Sequence, residues 1–225
     1  MTDIDTISQE AQQALAAKHM ARERALPKSR ACIRLCANTI RATHRNDFTT
    51  AHTLLLQAKA LIMEMHEDLH DFPDIYFAGF VEDAQKEFAE ASATLAVIQQ
   101  VPLPTPKDLT IEWAAYLNGL GETIGELRRH TLDHLRQGHF ADCERLLGVM
   151  DDIFAILTSL DYPDAITNGL RRTTDVARGI IEKTRGDLTS AAIQVNLSEH
   201  ITRLSGEIAQ WSQMIPLSTR SDIKE

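Results

Sequence analysis

Cysteine is scarce in this 225-residue chain, and Cys32, Cys36 and Cys143 cannot all pair. An odd, sparse set excludes a disulfide scaffold and points to free thiols in a cytoplasmic protein. Cys32 and Cys36 lie one helical turn apart, which suits core thiols; a metal or redox pair is the alternative. Aromatics make up only 5% of the residues, and none interleaves the basic stretch of residues 21–45, which weakens any reading of it as a base-stacking platform. No run of about 18 apolar residues occurs, so no membrane-spanning helix is expected. The opening Met1-Thr-Asp-Ile-Asp-Thr6 lacks the basic and apolar regions of a signal peptide, again suggesting the cytoplasm. Prolines and glycines are rare inside long stretches, and β-branched alternation is thin, which argues against strands. No P-loop, dinucleotide-type glycine motif or nucleophile elbow is present.

What is abundant is helix-forming material. The chain is 44% hydrophobic, enough to bury a core, and Ala, Leu, Glu and Arg dominate. Periodicity predicts helices over residues 3–25 and 27–45, the second opened by Pro27 as a proline at a first turn can. A third, capped by Asp47 or Thr49, reaches His70. A fourth spans 74–99, with Phe77, Phe80, Ala84, Phe88, Ala91, Leu95 and Ile98 at spacings of three and four. Prolines 102, 104 and 106 then impose an extended linker at 101–107. Further helices are expected over 109–137, 140–159 and 163–213. The reading is all-α, a seven-helix bundle of long antiparallel helices in a single domain, 1–225.

Carboxylates recur beside the apolar stripes. Glu122 and Glu126 are four apart in Leu117-Asn-Gly-Leu-Gly-Glu-Thr-Ile-Gly-Glu-Leu-Arg128 and share one helix face. Gly119, Gly121 and Gly125 are costly in a helix interior and make sense where another helix or a ligand comes close. Glu87 sits on the core-facing stripe of the fourth helix, and Glu90 is three residues on. If the linker makes a simple return, the two helices are antiparallel neighbours and the four acids converge. They would then repel one another without a cation, and Mg²⁺ or Mn²⁺ suits an all-oxygen site. Such a cluster can activate water and stabilise charge on a phosphodiester. The alternative is a wet face with ion pairs to Lys86, Arg128 or Arg129.

The formal net charge is −9, which disfavours indiscriminate adhesion to nucleic acid. Residues 21–45 nevertheless hold Arg22, Arg24, Lys28, Arg30, Arg34, Arg41 and Arg45 against one acid, Glu23. Arg30, Arg34 and Arg41 lie near one face, with His44 and Arg45 at the helix end, and could track a sugar–phosphate backbone. The competing reading is a solvated face bonded to the protein's own acids. A second set, Arg171, Arg172, Arg178, Lys183 and Arg185, is diluted by acids and reads as surface pairing or the flank of a groove. His66-Glu67-Asp-Leu-His70 matches the H-E-x-x-H string of zinc peptidases. It ends a helix just before Pro73, and no third ligand is evident beyond His130 and His134, a pair at the same spacing. A zinc metallopeptidase is thus a lesser alternative.

Thr39-Ile-Arg-Ala-Thr-His-Arg45, Lys86-Glu-Phe-Ala-Glu-Ala91, Tyr116 to Arg128, Leu170-Arg-Arg-Thr-Thr-Asp-Val-Ala-Arg178 and Glu182-Lys-Thr-Arg-Gly186 occur in an order that resembles the translin/TRAX family of nucleic-acid-binding proteins. The likeness runs from about residue 25 to 190. It implies a seven-helix fold, assembly into a hollow homo-octamer, and magnesium-dependent endoribonuclease action on single-stranded RNA. It places the metal-binding and catalytic acids on Glu87, Glu90, Glu122 and Glu126, and backbone binding on the arginines of helix two, above all Arg34, Arg41 and Arg45. The family commonly has Asp where this chain has Glu122, one methylene longer. The competing function is a non-catalytic oligomer that binds single-stranded RNA or DNA.

Overall fold

Apolar residues at helical spacing run through nearly the whole chain, and the computed structural model, which describes residues 3–214, is helical throughout. Its elements are α1 (Ile4–His44), α2 (Phe48–Asp68), α3 (Pro73–Tyr76), α4 (Gly79–Gln99), α5 (Pro106–Leu109), α6 (Trp113–Arg136), α7 (Phe140–Thr158), α8 (Asp164–Thr167) and α9 (Leu170–Met214). The chain is all-α, with no strand among the described residues. The expected count of seven is corrected to nine among those residues. Single turns α3, α5 and α8 were not anticipated, and the two helices expected on either side of Pro27 are one.

Pro27 lies inside α1. An interior proline removes a backbone hydrogen bond and costs about 3 kcal/mol. The helix continues because its buried stripe runs unbroken past the proline: Ala21, Ala25, Ser29, Cys32, Cys36 and Thr39, at intervals of four and three. These side chains are small, so α2 and α4 come close. The Cys32 thiol lies 3.8 Å from the Ala58 carbonyl of α2 and 3.9 Å from the Ala84 carbonyl of α4. Ser29 Oγ donates to the Phe80 carbonyl at 2.6 Å. At the far end of α1, Ala42 meets Ala51 and Leu95 in one buried cluster. α1 therefore runs antiparallel to α2 and parallel to α4. Asp47 caps α2, accepting from the Thr50 N–H at 3.2 Å.

The path from α4 to α6 corrects a second expectation. Gln100 adopts a left-handed conformation (φ 57°), and the extended 101–105 segment with α5 leads back along α4. Prolines suit this segment because it donates nothing to a regular ladder. α5 is held by a capping box between Thr105 and Asp108. α6 then starts beside the start of α4: the Glu112 N–H donates to Gln85 Oε1 at 3.2 Å. Gly119 lies on Lys86, Ala89 and Glu90. Farther along, α7 meets the end of α4 where an Arg145 Nη1 donates to the Val97 carbonyl at 3.4 Å. α4 and α6 thus run parallel, not antiparallel as a simple return would make them.

Backbone contact density divides the chain into two compact units, 1–182 and 183–225, with α9 running from the first into the second. Within the second unit, Ile193, Leu197, Ile201, Leu204, Ile208 and Trp211 are exposed at intervals of four and three. That is one continuous apolar stripe along a helix. No helix among the described residues is long and apolar enough to cross a membrane.

The α4–α6 contact has a direct test. A Cβ on Gly119 would stand 2.6 Å from both the Lys86 carbonyl oxygen and the Ala89 Cβ, and the carbonyl belongs to a rigid helix. Gly119→Ala is expected to destabilise the protein by about 1–3 kcal/mol in urea unfolding. A Cβ on Gly125 would meet only Ile180 Cδ1 at 4.0 Å. Gly125→Ala is expected to be neutral or to stabilise by up to about 1 kcal/mol through helix propensity.

Candidate carboxylate centre

Glu87 and Glu90 project from α4 one turn apart, and Glu122 faces them from α6. One carboxylate oxygen from each lies within 4.8 Å of the others. The side chains meet because the helix backbones do: Gly119, one turn before Glu122, lets α6 rest on the α4 backbone at Lys86–Glu90. On the other flank, a Cβ on Gly121 would stand 2.3 Å from Thr173 Cγ2 of α9. Asn118 ties the same junction together. Its amide donates to the Thr167 carbonyl at 2.8 Å, and its carbonyl accepts from Thr173 Oγ1 at 2.6 Å. The result is a cleft of about 640 Å³ walled by α4, α6 and the first turns of α9, with Glu90, Glu122 and Glu126 in its lining.

Electrostatics follow from crowding. Burial, reinforced by the charges of Glu87, Glu122 and Glu126, raises the Glu90 carboxyl to about 8. Burial and the charge of Glu122 also raise Glu87, against a downward pull from Lys86. Lys86 Nζ donates to Glu122 Oε1 at 2.8 Å. Glu126 is held differently. Its Oε2 lies 2.5 Å from His44 Nε2 and 3.9 Å from an Arg129 Nη1, and the His44 hydrogen bond lowers its carboxyl. Three of the four expected acids therefore come together, and the fourth is turned toward α1. The three fit a divalent cation: they are oxygen donors, partly buried, and their mutual charge adds to burial in raising the Glu90 carboxyl.

The expected nucleic-acid residues separate into two kinds. Arg30, Arg34, Arg41 and Arg45 are exposed. At 3.6 residues per turn they fall within an arc of about 60°. Among the described residues Arg30 and Arg34 form no ion pair, the charge of Arg45 acts on Asp47, and Arg41 donates to Asn38 Oδ1 at 2.8 Å. The nearer cations of the same stretch are engaged: Lys28 bridges Glu64 and Asp68, each at 2.8 Å, and Arg24 reaches Asp68 at 3.7 Å. His44 is not a surface residue; its side chain is 5% exposed and committed to Glu126. The structure places it as the partner of Glu126 rather than on the exposed face with the arginines.

The H-E-x-x-H string does not assemble. α2 ends at Asp68, so His70 lies beyond the helix, exposed, with Nδ1 3.0 Å from Asp71 Oδ1. His66 packs edge-on against Tyr76, ring centroids 5.4 Å apart. Among the described residues neither histidine belongs to a group able to hold a metal. Cys32 and Cys36 are buried free thiols.

Arg172, read from the sequence as surface pairing or a groove flank, lines the cleft opposite the acids. The groove-flank alternative is thus the one that fits, and the groove itself forms only through the α6–α9 contact. Lys86, expected from the sequence as an ion-pair partner of the acids, pairs with Glu122.

No family model matches the chain. An uncharacterised protein of Methanocaldococcus jannaschii is 34% identical over 197 residues, 87% of each chain. The solved structure of AfC3PO with duplex RNA is 34% identical, with a TM-score of 0.77 over 83% of this chain and 96% of that one. The structure of apo-NeC3PO shares the fold at 20% identity and a TM-score of 0.73, over 85% of this chain and 98% of that one.

The raised Glu90 carboxyl gives a pH signature. Between the ordinary carboxylate range and about 8, the folded chain keeps a proton that the unfolded chain has released. Stability of the metal-free protein is therefore expected to fall as pH rises through that window. Melting temperatures followed across it should decline in the parent protein and decline less in Glu90→Gln. Divalent cation should offset the decline most at the alkaline end, where the carboxylate no longer has to lose a proton.

Proposed function

The chain belongs to the translin family, among its C3PO-like members, and we propose that it binds single-stranded RNA and hydrolyses its phosphodiester backbone. The observation that carries the reading is the convergence of Glu87, Glu90 and Glu122 within 4.8 Å, with Glu90 and Glu122 lining an open cleft. Their all-oxygen donor set suits Mg²⁺, or Mn²⁺ in its place. When bound, the cation supplies positive charge for the phosphoryl oxygens and acidifies a water.

The chain's own groups do the rest. Arg30, Arg34, Arg41 and Arg45 hold the backbone, and their strip ends where His44 enters the carboxylate centre. A flexible single strand reaches acids recessed between two helices more readily than a duplex does. Arg172, on the opposite wall, meets the phosphate from the other side. Glu126 stays ionised because His44 donates to Oε2, which leaves Oε1 to take the proton of an attacking water. Lys86, paired with Glu122, offsets charge at the centre when a cation is absent.

Homo-oligomeric assembly, an octamer by family likeness, is part of the proposal and is supported by the exposed stripe from Ile193 to Trp211. Binding without cleavage is the competing reading. The specific observation in its favour is that Glu122 and Glu126 already have basic partners, Lys86 and His44.

Cleavage of single-stranded RNA is expected to require Mg²⁺ or Mn²⁺. Glu90→Gln and Glu122→Gln should lower the rate by about 100-fold or more while leaving RNA binding in place. Unchanged cleavage in Glu122→Gln would remove the centre from the reaction, and metal-independent affinity with no cleavage would favour the binding-only reading. Arg34→Ala and Arg41→Ala should each weaken binding and reduce the slope of log affinity against log salt by about 0.7. In light scattering, Leu204→Glu with Ile208→Glu should shift the protein to smaller species.

A further inference from the structure

At the other end of α6, the turn into α7 gathers a second set of donors with different chemistry. His134 lies in the last turn of α6, His139 is the residue before α7, and Asp142 is in its first turn. One donor atom from each lies within 4.8 Å of the others. Twelve residues separate Glu122 from His134, about 18 Å along the helix axis, so the two clusters are separate. The turn is fixed by its own backbone: the His139 N–H donates to the His134 carbonyl at 3.1 Å, and the Phe140 N–H to the Gly138 carbonyl at 3.0 Å.

His134 Nδ1 is buried and has no hydrogen-bond partner. Its nearest acid oxygen, Asp142 Oδ2, is 3.6 Å away, too far for a hydrogen bond. Two atoms each bound to a tetrahedral zinc at 2.0–2.1 Å are themselves about 3.3–3.4 Å apart. The gap between His134 and Asp142 is thus close to the width one zinc ion would span. The His139 ring stands across it, 5.4 Å from that of His134. Two imidazoles and one carboxylate suit a borderline cation such as Zn²⁺, whereas the all-oxygen centre suits a harder one.

We propose that His134, His139 and Asp142 form a second metal site, taking Zn²⁺ with water in the fourth position and clasping the α6–α7 turn. Behind it lies the buried ring of His130. Its centroid is 4.3 Å from that of His134 and 5.8 Å from that of His44. The clasp would thereby brace the histidines that lead back to Glu126.

Titrating the full-length protein with Zn²⁺ and with Co²⁺ tests the assignment. One Zn²⁺ should bind per chain with an affinity that Glu122→Gln leaves unchanged, and Co²⁺ in the same site should show the strong visible absorption of four-coordinate cobalt. His139→Ala, at an exposed position whose loss does not threaten folding, should weaken Zn²⁺ binding at least tenfold and abolish the absorption. Asp142→Asn should do the same to a lesser degree. Zn²⁺ affinity unaffected by His139→Ala, or Co²⁺ showing only the weak bands of a six-coordinate oxygen site, would overturn it.

Discussion

A helix backbone resting on another helix backbone is the constraint from which the centre follows. At Gly119 no side chain separates α6 from the Lys86 carbonyl and the Glu90 amide of α4. Carboxylates one turn either side of such a contact have no room to diverge. Glu90 is pressed against Glu87 and Glu122, and its proton affinity rises because burial and the neighbouring carboxylates outweigh the opposing charge of Lys86. Cleft shape, acid spacing and the tendency to take a cation are consequences of one missing methyl group.

Charge is sorted along α1 in the same physical way. Toward its first half α1 carries cations that find acids of α2, and Lys28 is shared between Glu64 and Asp68. Farther along α1, Arg30 and Arg34 are exposed and form no ion pair among the described residues, and the charge of Arg45 acts on Asp47. An acidic protein that leaves these cations in a row, ending at a carboxylate cleft, carries a local field opposite in sign to its net charge. Attraction for a polyanion is then confined to one strip rather than spread over the surface.

Much of this was legible in the sequence because it is local. Glu87 with Glu90 and Glu122 with Glu126 are each fixed to one helix face by spacing alone, and the glycines beside Glu122 announced a close approach. What was not legible was tertiary. The antiparallel expectation failed because an extended, proline-bearing segment can cover the length of a helix in few residues, and its direction is set by what it lies on. His44 looked like one more basic residue at a helix end; only the convergence of α1 with α6 makes it a partner of Glu126. Pro27 looked like a boundary because propensity weighs it alone, whereas the buried stripe on both sides outweighs one lost hydrogen bond. Arg172 was one of a set that could flank a groove, and only the packing of α9 on α6 shows which groove.

The parallel course of α4 and α6 makes the return segment a ruler. In an antiparallel hairpin, a residue added to the loop is absorbed at its tip and the facing side chains keep their partners. Here the start of α6 is delivered by a strap spanning the flank of α4, and Gln85 marks where it must arrive by receiving the Glu112 N–H. Shortening the strap would draw α6 along its neighbour and bring a side chain, rather than Gly119, over the Lys86 carbonyl. Variation in the length of this stretch is therefore closed to the protein, although it lies at the surface and outside the main helices.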